Sequence, residues 1–484
     1  MYIAGIDLGT TGCKCAVFDS SGNMSGSHYV EYDLIFTPEG VEQDAGLWWE
    51  HVKTTLKKAV QSANIQPDMV KAIAAASQGI AFVPVDSEGL PLSRAISWYD
   101  RRADNEADEI AAHYGTDFLF EKCGRMPGSF LFPQVLHIKR HNPCLYEKTK
   151  YFLMAHDYIV FRLCGKAVTD FSMACGTYCF DTGGHKWLGE IFDHYGIDQG
   201  KFPILKPFGS IAGRILPRTA LELGLSDDTV IAVGMQDQKA AALGAGITLH
   251  GNSSQTPAGS GIMTLSLGTA SALLQLTNKK ITDKNNKVLC HAFNGKRWTM
   301  ENYVGASGSS LKWLRNTFFP ELPYIELDAL AAKSPSGAAG IIFNPALDTQ
   351  YGSFSGISLN TTAGDMIRAV LEGVAYSVRR CVLEQQNLSG GKNPVSELKV
   401  FGGGAGSSIW CRILADVLDI PVSLPRTHEC ASLGAAVCAG LALGLFSDKA
   451  EIAGFIGNVR QRFNPDPANV RIYEKGYEKF CALC

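Results

Sequence analysis

Ile3-Ala4-Gly5-Ile6-Asp7-Leu8-Gly9-Thr10-Thr11-Gly12, continued by Cys13-Lys14-Cys15-Ala16-Val17-Phe18, is the stretch that decides the fold. Apolar residues lead to a carboxylate, break at a glycine-threonine turn, resume, and turn again at Ser20-Ser21-Gly22-Asn23, a strand, turn, strand, turn pattern. The same idea returns downstream. Ile262-Met263-Thr264-Leu265-Ser266-Leu267 runs into Gly268-Thr269 and then Ala272-Leu273-Leu274-Gln275-Leu276, and both copies contain Leu-Gly-Thr. Two such openings in one chain are what a duplicated domain leaves behind. Between them, Gly251 to Gly261 is polar and rich in turn formers, after a helix-like Lys239 to Gly246. A division is therefore expected near 247–260, giving domains 1–248 and 255–484.

Outward from these hairpins, short apolar strands alternate with helical patterns. Met69 to Ala76 reads as a strand running into Ser77-Gln78-Gly79 and then Ile80 to Val85, and Asp365 to Leu383 carries apolar residues at helical spacing. Leu398-Lys399-Val400-Phe401 is a strand that stops at Gly402-Gly403-Gly404-Ala405-Gly406, with a helix over Ser407 to Leu418. The fold class is α/β. With 484 residues, 46% hydrophobic and 19% charged, the chain is globular and too long for one core, so two domains and a cleft between them are expected.

Composition excludes several classes. A formal net charge of −3 without a lysine-arginine run removes the footprint of a nucleic-acid binder. Met1-Tyr2-Ile3-Ala4-Gly5-Ile6-Asp7 lacks a signal pattern, and the apolar stretch Ala431 to Phe446 is shorter than the roughly 20 residues that cross a bilayer, so it reads as a buried helix. A cytoplasmic protein without membrane or nucleic-acid partners is expected. The 14 cysteines are read as reduced thiols. Cys13 with Cys15, and Cys481 with Cys484, have no nearby second pair to complete a zinc site, and ordinary packing is the reading for the first pair and a frayed tail for the second.

Three glycine-bearing turns carry chemistry. In Asp7-Leu8-Gly9-Thr10-Thr11-Gly12, with Lys14 beyond, glycines admit phosphate oxygens to the backbone, hydroxyls and N–H groups donate, and a carboxylate can hold hydrated magnesium; a plain hairpin has the same shape. Ser266-Leu267-Gly268-Thr269 is a second such turn without the aspartate. Phe401 to Ser408 would let an adenosine lie on bare backbone, or is simply a helix start packed closely on a strand. Asp237 follows the apolar strand Val230 to Val233 and Gly234 and precedes a helix, where it is either an N-cap or a functional carboxylate.

Together these residues resemble the FGGY carbohydrate kinases, built on the duplicated actin-like ATPase (ribonuclease H-like) fold. The likeness covers nearly the whole chain and includes Trp98-Tyr99-Asp100-Arg101-Arg102, Asp157-Tyr158, Asp170, Gly176-Thr177, Gly234-Met235-Gln236-Asp237-Gln238, Arg368-Ala369, Glu372-Gly373 and Ala431 to Ala436. It implies ATP and Mg2+ as cofactors, an N-terminal domain for sugar, catalytic base and first phosphate loop, and a C-terminal domain for ATP. It implies Asp237 as catalytic base and Asp7 with Asp237 at the metal. Thr10, Thr11, Gly12, Lys14, Gly268, Thr269, Gly308, Lys312, Gly403, Gly404 and Ser408 would face the nucleotide, Ser408 standing where the family has asparagine.

Gln78, Gly79, Ile80, Trp98, Asp100, Arg101, Phe130, Asp237 and Gln238 are the acceptor-side candidates. Gly79-Ile80 replaces the Arg-Glu of glycerol kinases and the Met-His of xylulokinases, whereas Asp237-Gln238 resembles the former and Met126-Pro127-Gly128 the latter. A small-molecule sugar or polyol is the implied partner, a ketopentose ranked first with glycerol, another polyol or an aldonate as alternatives; a homodimer is compatible. An actin-like ATPase or a non-catalytic sugar or nucleotide sensor are the rivals of another class, and a hydrolysis rate indifferent to added sugar, or binding without product, would mark them.

Overall fold

The computed structural model describes residues 1–247, 261–349 and 351–483. The expected interdomain division falls mostly outside those residues. Two compact units emerge, and neither is contiguous in sequence. The first holds Met1–Leu249, Asn278–Thr299 and Glu429–Gly457; the second holds His250–Thr277, Met300–His428 and Asn458–Cys484.

The first unit is built on a mixed sheet in the order Ile211–Arg214, Val230–Ala232, Val70–Ser77, Tyr2–Leu8, Gly12–Asp19, Met24–Glu31, with Met235–Gln236 also paired to Val70–Ser77. Tyr2–Leu8 is antiparallel to Gly12–Asp19 and parallel to Val70–Ser77. Helices cover it. Ala45–Ser62 buries Trp48, Trp49, Val52, Leu56, Ala59 and Val60, a stripe at helical spacing, and is capped by Asp44, whose carboxylate accepts from Gly46 and Leu47 N–H. Such a cap is worth about 1 kcal/mol. A second sheet, Ile35–Phe36, Val41–Gln43, Ala95–Ile96, Phe82–Val85 and Tyr151–Met154, extends the unit.

The stretch read as a buried helix is one, over Cys430–Ala442, and is nearly all buried. It approaches its neighbours at backbone distance. A Cβ on Gly434 would lie 1.9 Å from Ala240 O, one on Gly244 2.0 Å from Cys430 O, and one on Gly5 1.8 Å from Ser432 O. Three missing side chains thus let this helix, the helix Asp237–Gly244 and the strand Tyr2–Leu8 pack backbone to backbone.

The second unit repeats the plan. Gly261–Leu267 is antiparallel to Ser271–Thr277 and parallel to Val395–Phe401, which continues to Val422–Leu424 and an antiparallel edge, Gln461–Phe463. In both units a parallel strand thus joins the hairpin to a last antiparallel pair, the duplication expected from the repeated Leu-Gly-Thr. The 26-residue helix Ala363–Leu388 fills the core, started by a Thr362–Asp365 capping box. Arg368 and Glu372 are its buried ion pair at 2.7 Å, tied to Tyr473 Oη, so these family-like residues hold helices together.

Two of the boundaries that moved lie beside the strand ends. The helix expected from Lys239 begins at Asp237, and the strand expected from Ile80 begins at Phe82, because Ile80 takes a left-handed φ of 75° that no strand accommodates. Among the described residues no helix is long and apolar enough to cross a membrane. Cys13 and Cys15 are buried on the strand Gly12–Asp19, and burial pushes the Cys13 thiol up to about 12, the behaviour of packing residues. Cys481 is exposed, and Cys484 lies outside the described residues.

Candidate active site

Three parallel strands of the first unit end in one row. Leu8 is in register with Ser77, and Ser77 with Gln236, so the chain leaves all three at a common carboxyl edge, where open α/β sheets bind ligands. Asp7 is the penultimate residue of the first strand, Gln78 follows the second, and Asp237 follows the third as the first residue of its helix.

Asp237 is not the cap of that helix. Gln236 is, through Oε1 accepting from Lys239 N–H at 3.3 Å. One oxygen of Asp237, Oδ1, accepts from Gln238 N–H at 2.6 Å and from Gln236 Nε2. Among the described residues no hydrogen bond reaches Oδ2. Protein encloses both aspartates although each keeps a partly accessible edge. Burial, opposed by the Gln238 N–H and Lys239, raises the Asp237 carboxyl to about 6. Burial and then the charge of Asp237 raise Asp7 to about 7 against the pull of Lys14. The side-chain oxygens Gln78 Oε1 and Gln238 Oε1 are buried without a partner. Two carboxyls that resist ionising together, beside amide oxygens lacking donors, make an oxygen-only set that fits a hard cation such as Mg2+ or the hydroxyls of a ligand.

Two buried relays, on residues the sequence reading left without a role, fix the backbone before Asp237. His156 Nε2 accepts from Gly234 N–H at 3.0 Å, which puts the ring proton on Nδ1, against Asp157 Oδ1 at 2.9 Å. Ser172 Oγ accepts from Gln236 N–H at 2.9 Å and donates to Asp170 Oδ1 at 3.0 Å. Burial raises both Asp157 and Asp170, the latter to about 6.

The first hairpin turn is closed by Gly9 N–H donating to Gly12 O at 2.9 Å, with Tyr32 N–H donating to Thr11 O at 3.1 Å. Thr10 Oγ1 accepts from Trp98 Nε1 at 2.9 Å, which joins a phosphate-side candidate to an acceptor-side one. Gln43, also absent from the sequence reading, links Gln78 to this turn: it accepts from Gln78 Nε2 at 2.9 Å and donates to Thr10 O at 2.7 Å. Lys14 pairs with Glu429 at 2.8 Å, a residue 415 positions away that only the fold could supply.

The remaining acceptor-side candidates divide. Trp98 stacks on Tyr99 at 3.8 Å and is exposed. Asp100 is buried and saturated: Arg102 grips it with Nε and Nη2, and Val41 N–H and Gln134 Nε2 complete it, holding it below the usual carboxylate range. Its carboxylate therefore organises its own loop. Arg101 is exposed and pairs with Asp104 at 2.9 Å. Phe130 packs on Tyr178, with Arg125 over its ring. Ile80, a β-branched residue at positive φ beside Gly79, is a strained position in the acceptor-side segment.

In the second unit, the turn Gly268-Thr269 is braced by the helix Gly308–Phe318. Gly308 N–H donates to Gly268 O at 2.8 Å, and Ser309 Oγ to Thr269 O at 3.0 Å; a Cβ on Gly308 would meet Gly268 O at 2.4 Å. Gly404 packs on Leu267, while Gly403 has open space beside its backbone. Lys312 is exposed on that helix. Ser408 opens the helix Ser408–Leu418 and lines a groove of about 500 Å³ with Arg412, Asp416 and Asn469.

This fold and strand-end constellation define a class, and comparison with known proteins gives it a family. Residues 2–244 match the N-terminal domain, and residues 263–443 the C-terminal domain, of the FGGY family of carbohydrate kinases. The chain belongs to that family. It is 30% identical to a xylulose kinase of Staphylococcus epidermidis, across 99% of this chain and 96% of that one. It is also 30% identical to a glycerol kinase of Thermococcus onnurineus, across 93% and 91%. The crystal structure of a xylulose kinase from Lactobacillus acidophilus superposes with a TM-score of 0.89, at 23% identity, over 100% of this chain and 97% of that one.

Proposed function

We propose that this protein transfers the terminal phosphoryl group of ATP to a hydroxyl of a ketopentose, with Asp237 as general base. The observation that carries the reading is the row Leu8, Ser77, Gln236, which brings Asp7, Gln78 and Asp237 to one sheet edge. With Oδ1 held by Gln238 N–H, Oδ2 of Asp237 takes the acceptor's hydroxyl proton while the acceptor's oxygen bonds to the γ-phosphorus, the γ-phosphorus to bridging-oxygen bond breaks and ADP departs. A carboxyl raised to about 6 is a stronger base than an ordinary aspartate and still ionised at neutral pH.

Asp7 and Asp237 would hold Mg2+, which when bound neutralises charge on the phosphates. Thr10, Thr11, Gly12 and Lys14 would take phosphate, Lys14 exchanging Glu429 for it. Gly268, Thr269, Gly308, Lys312, Gly403, Gly404 and Ser408 are assigned to the nucleotide. Gln78 Oε1 and Gln238 Oε1, buried acceptors lacking donors, suit the hydroxyls of a sugar. A ketopentose is preferred over glycerol because Gly79-Ile80 provides no charged pair for a small triol, and because relatives called xylulose kinase match nearly end to end.

A coupled ADP-release assay over xylulose, ribulose, glycerol and gluconate, against an acceptor-free blank, tests this. The highest kcat/KM should belong to a ketopentose. Preference for glycerol or gluconate would overturn the substrate class, and release independent of any acceptor would overturn the kinase reading.

A further inference from the structure

We infer that Glu106, His137 and His141 form a second metal site, selective for a divalent cation of the zinc type. His137 and His141 are four residues apart on the helix Leu131–His141, hence on one face, with ring centroids 4.3 Å apart. Glu106 reaches them from the helix Asp104–Tyr114. Glu106 Oε1 lies 3.3 Å from His137 Nδ1 and 3.6 Å from His141 Nε2, and one ligand atom from each residue falls within 4.8 Å of the others. Zinc bonds of about 2.0–2.1 Å at a tetrahedral angle place ligand atoms about 3.3 Å apart, so small side-chain rotations close the set.

Hydrogen bonding accounts for only one contact of the arrangement, His137 Nδ1 with Glu106 Oε1 at 3.3 Å. The 3.6 Å separation is too long for a hydrogen bond, and Glu106 Oε2 is buried without a partner on a residue only 4% exposed. A buried carboxylate in that state calls for a cation. The neighbouring guanidinium of Arg140 is committed elsewhere, bidentate to Glu109 at 2.7 and 2.8 Å. Two imidazoles and one carboxylate suit zinc over Mg2+, and the exposed side of His141 leaves a fourth position to water. The ion would clamp the two helices.

The test titrates Zn2+ into the EDTA-treated full-length protein by calorimetry, in excess Mg2+ to occupy oxygen-only sites, alongside thermal melts. One equivalent should bind and raise Tm. His141→Ala, at the exposed helix end, and Glu106→Gln should each weaken binding by roughly 10- to 100-fold and remove the Tm rise, while Cys144→Ser, the exposed thiol nearby, should change neither. No saturable binding by the wild type, wild-type affinity retained in His141→Ala and Glu106→Gln, or loss in Cys144→Ser would each overturn the assignment.

Discussion

The two glycine-threonine hairpins share a backbone frame and differ in charge. Both are antiparallel pairs whose first strand has a parallel neighbour. In the first, Asp7 stands two residues before the glycine, its carboxyl raised by burial and by Asp237. In the second, half-buried Ser266 holds that place, its hydroxyl accepting from the N–H of its cross-strand partner Ala272 at 3.1 Å. The supports differ too: the Tyr32 hydroxyl donating to Gly9 O, with tryptophan and glutamine side chains, around the first turn, and a helix start against the second. Duplication thus supplies two turns on one frame, and a buried carboxylate, costly alone, gives only one of them a reason to bind a cation.

The largest effect should come from Asp237→Asn, which removes the proposed base and keeps its shape. Loss of roughly 10²- to 10⁴-fold in kcat with unchanged nucleotide affinity is expected, measured by coupled assay and calorimetry. In the wild type, kcat/KM should climb with pH and level off once Asp237 is ionised, the midpoint lying at about 6 or lower because bound Mg2+ favours the carboxylate. A flat profile would separate Asp237 from proton transfer.

Asp7→Asn comes next, raising the Mg2+ concentration for half-maximal rate by roughly 10- to 100-fold. Gly434→Ala would set a Cβ 1.9 Å from Ala240 O and push on the helix that begins at Asp237; destabilisation of about 1–3 kcal/mol is expected by denaturant titration. Linkage predicts a smaller trend. Asp7 and Asp237 hold protons in the folded state to about 7 and 6, above the value for an unfolded aspartate, so at these two positions the metal-free fold binds more protons than the unfolded chain in that window. Measured against Asp7→Asn, the wild-type Tm should fall as pH rises from 4 to 7, and Mg2+ should cancel that fall. Ser266→Ala, the counterpart of Asp7→Asn, should change least, about 0.5–1.5 kcal/mol in stability with no change in Mg2+ requirement.

Much of this was legible in the order of residues. Glycine and threonine punctuate both hairpins, and the apolar strand before Gly234 delivers Asp237 to a helix start, because period and turn chemistry are local properties. What stayed hidden depends on distant partners. Asp100 looks like a pocket residue until Arg102, Val41 and Gln134 are seen to saturate it. Gln43, His156, Ser172 and Glu429 have no motif, since their meaning lies in what they touch. Nor does any propensity foretell a left-handed Ile80.

The helix Cys430–Ala442 packs against Gly5 and the helix carrying Asp237, yet it is made some 190 residues after that helix. On the ribosome, the first sheet must therefore wait with an apolar face uncovered until the helix Cys430–Ala442 has emerged. A fragment cut at the midpoint of the chain would lack the covering and should be recovered as aggregate.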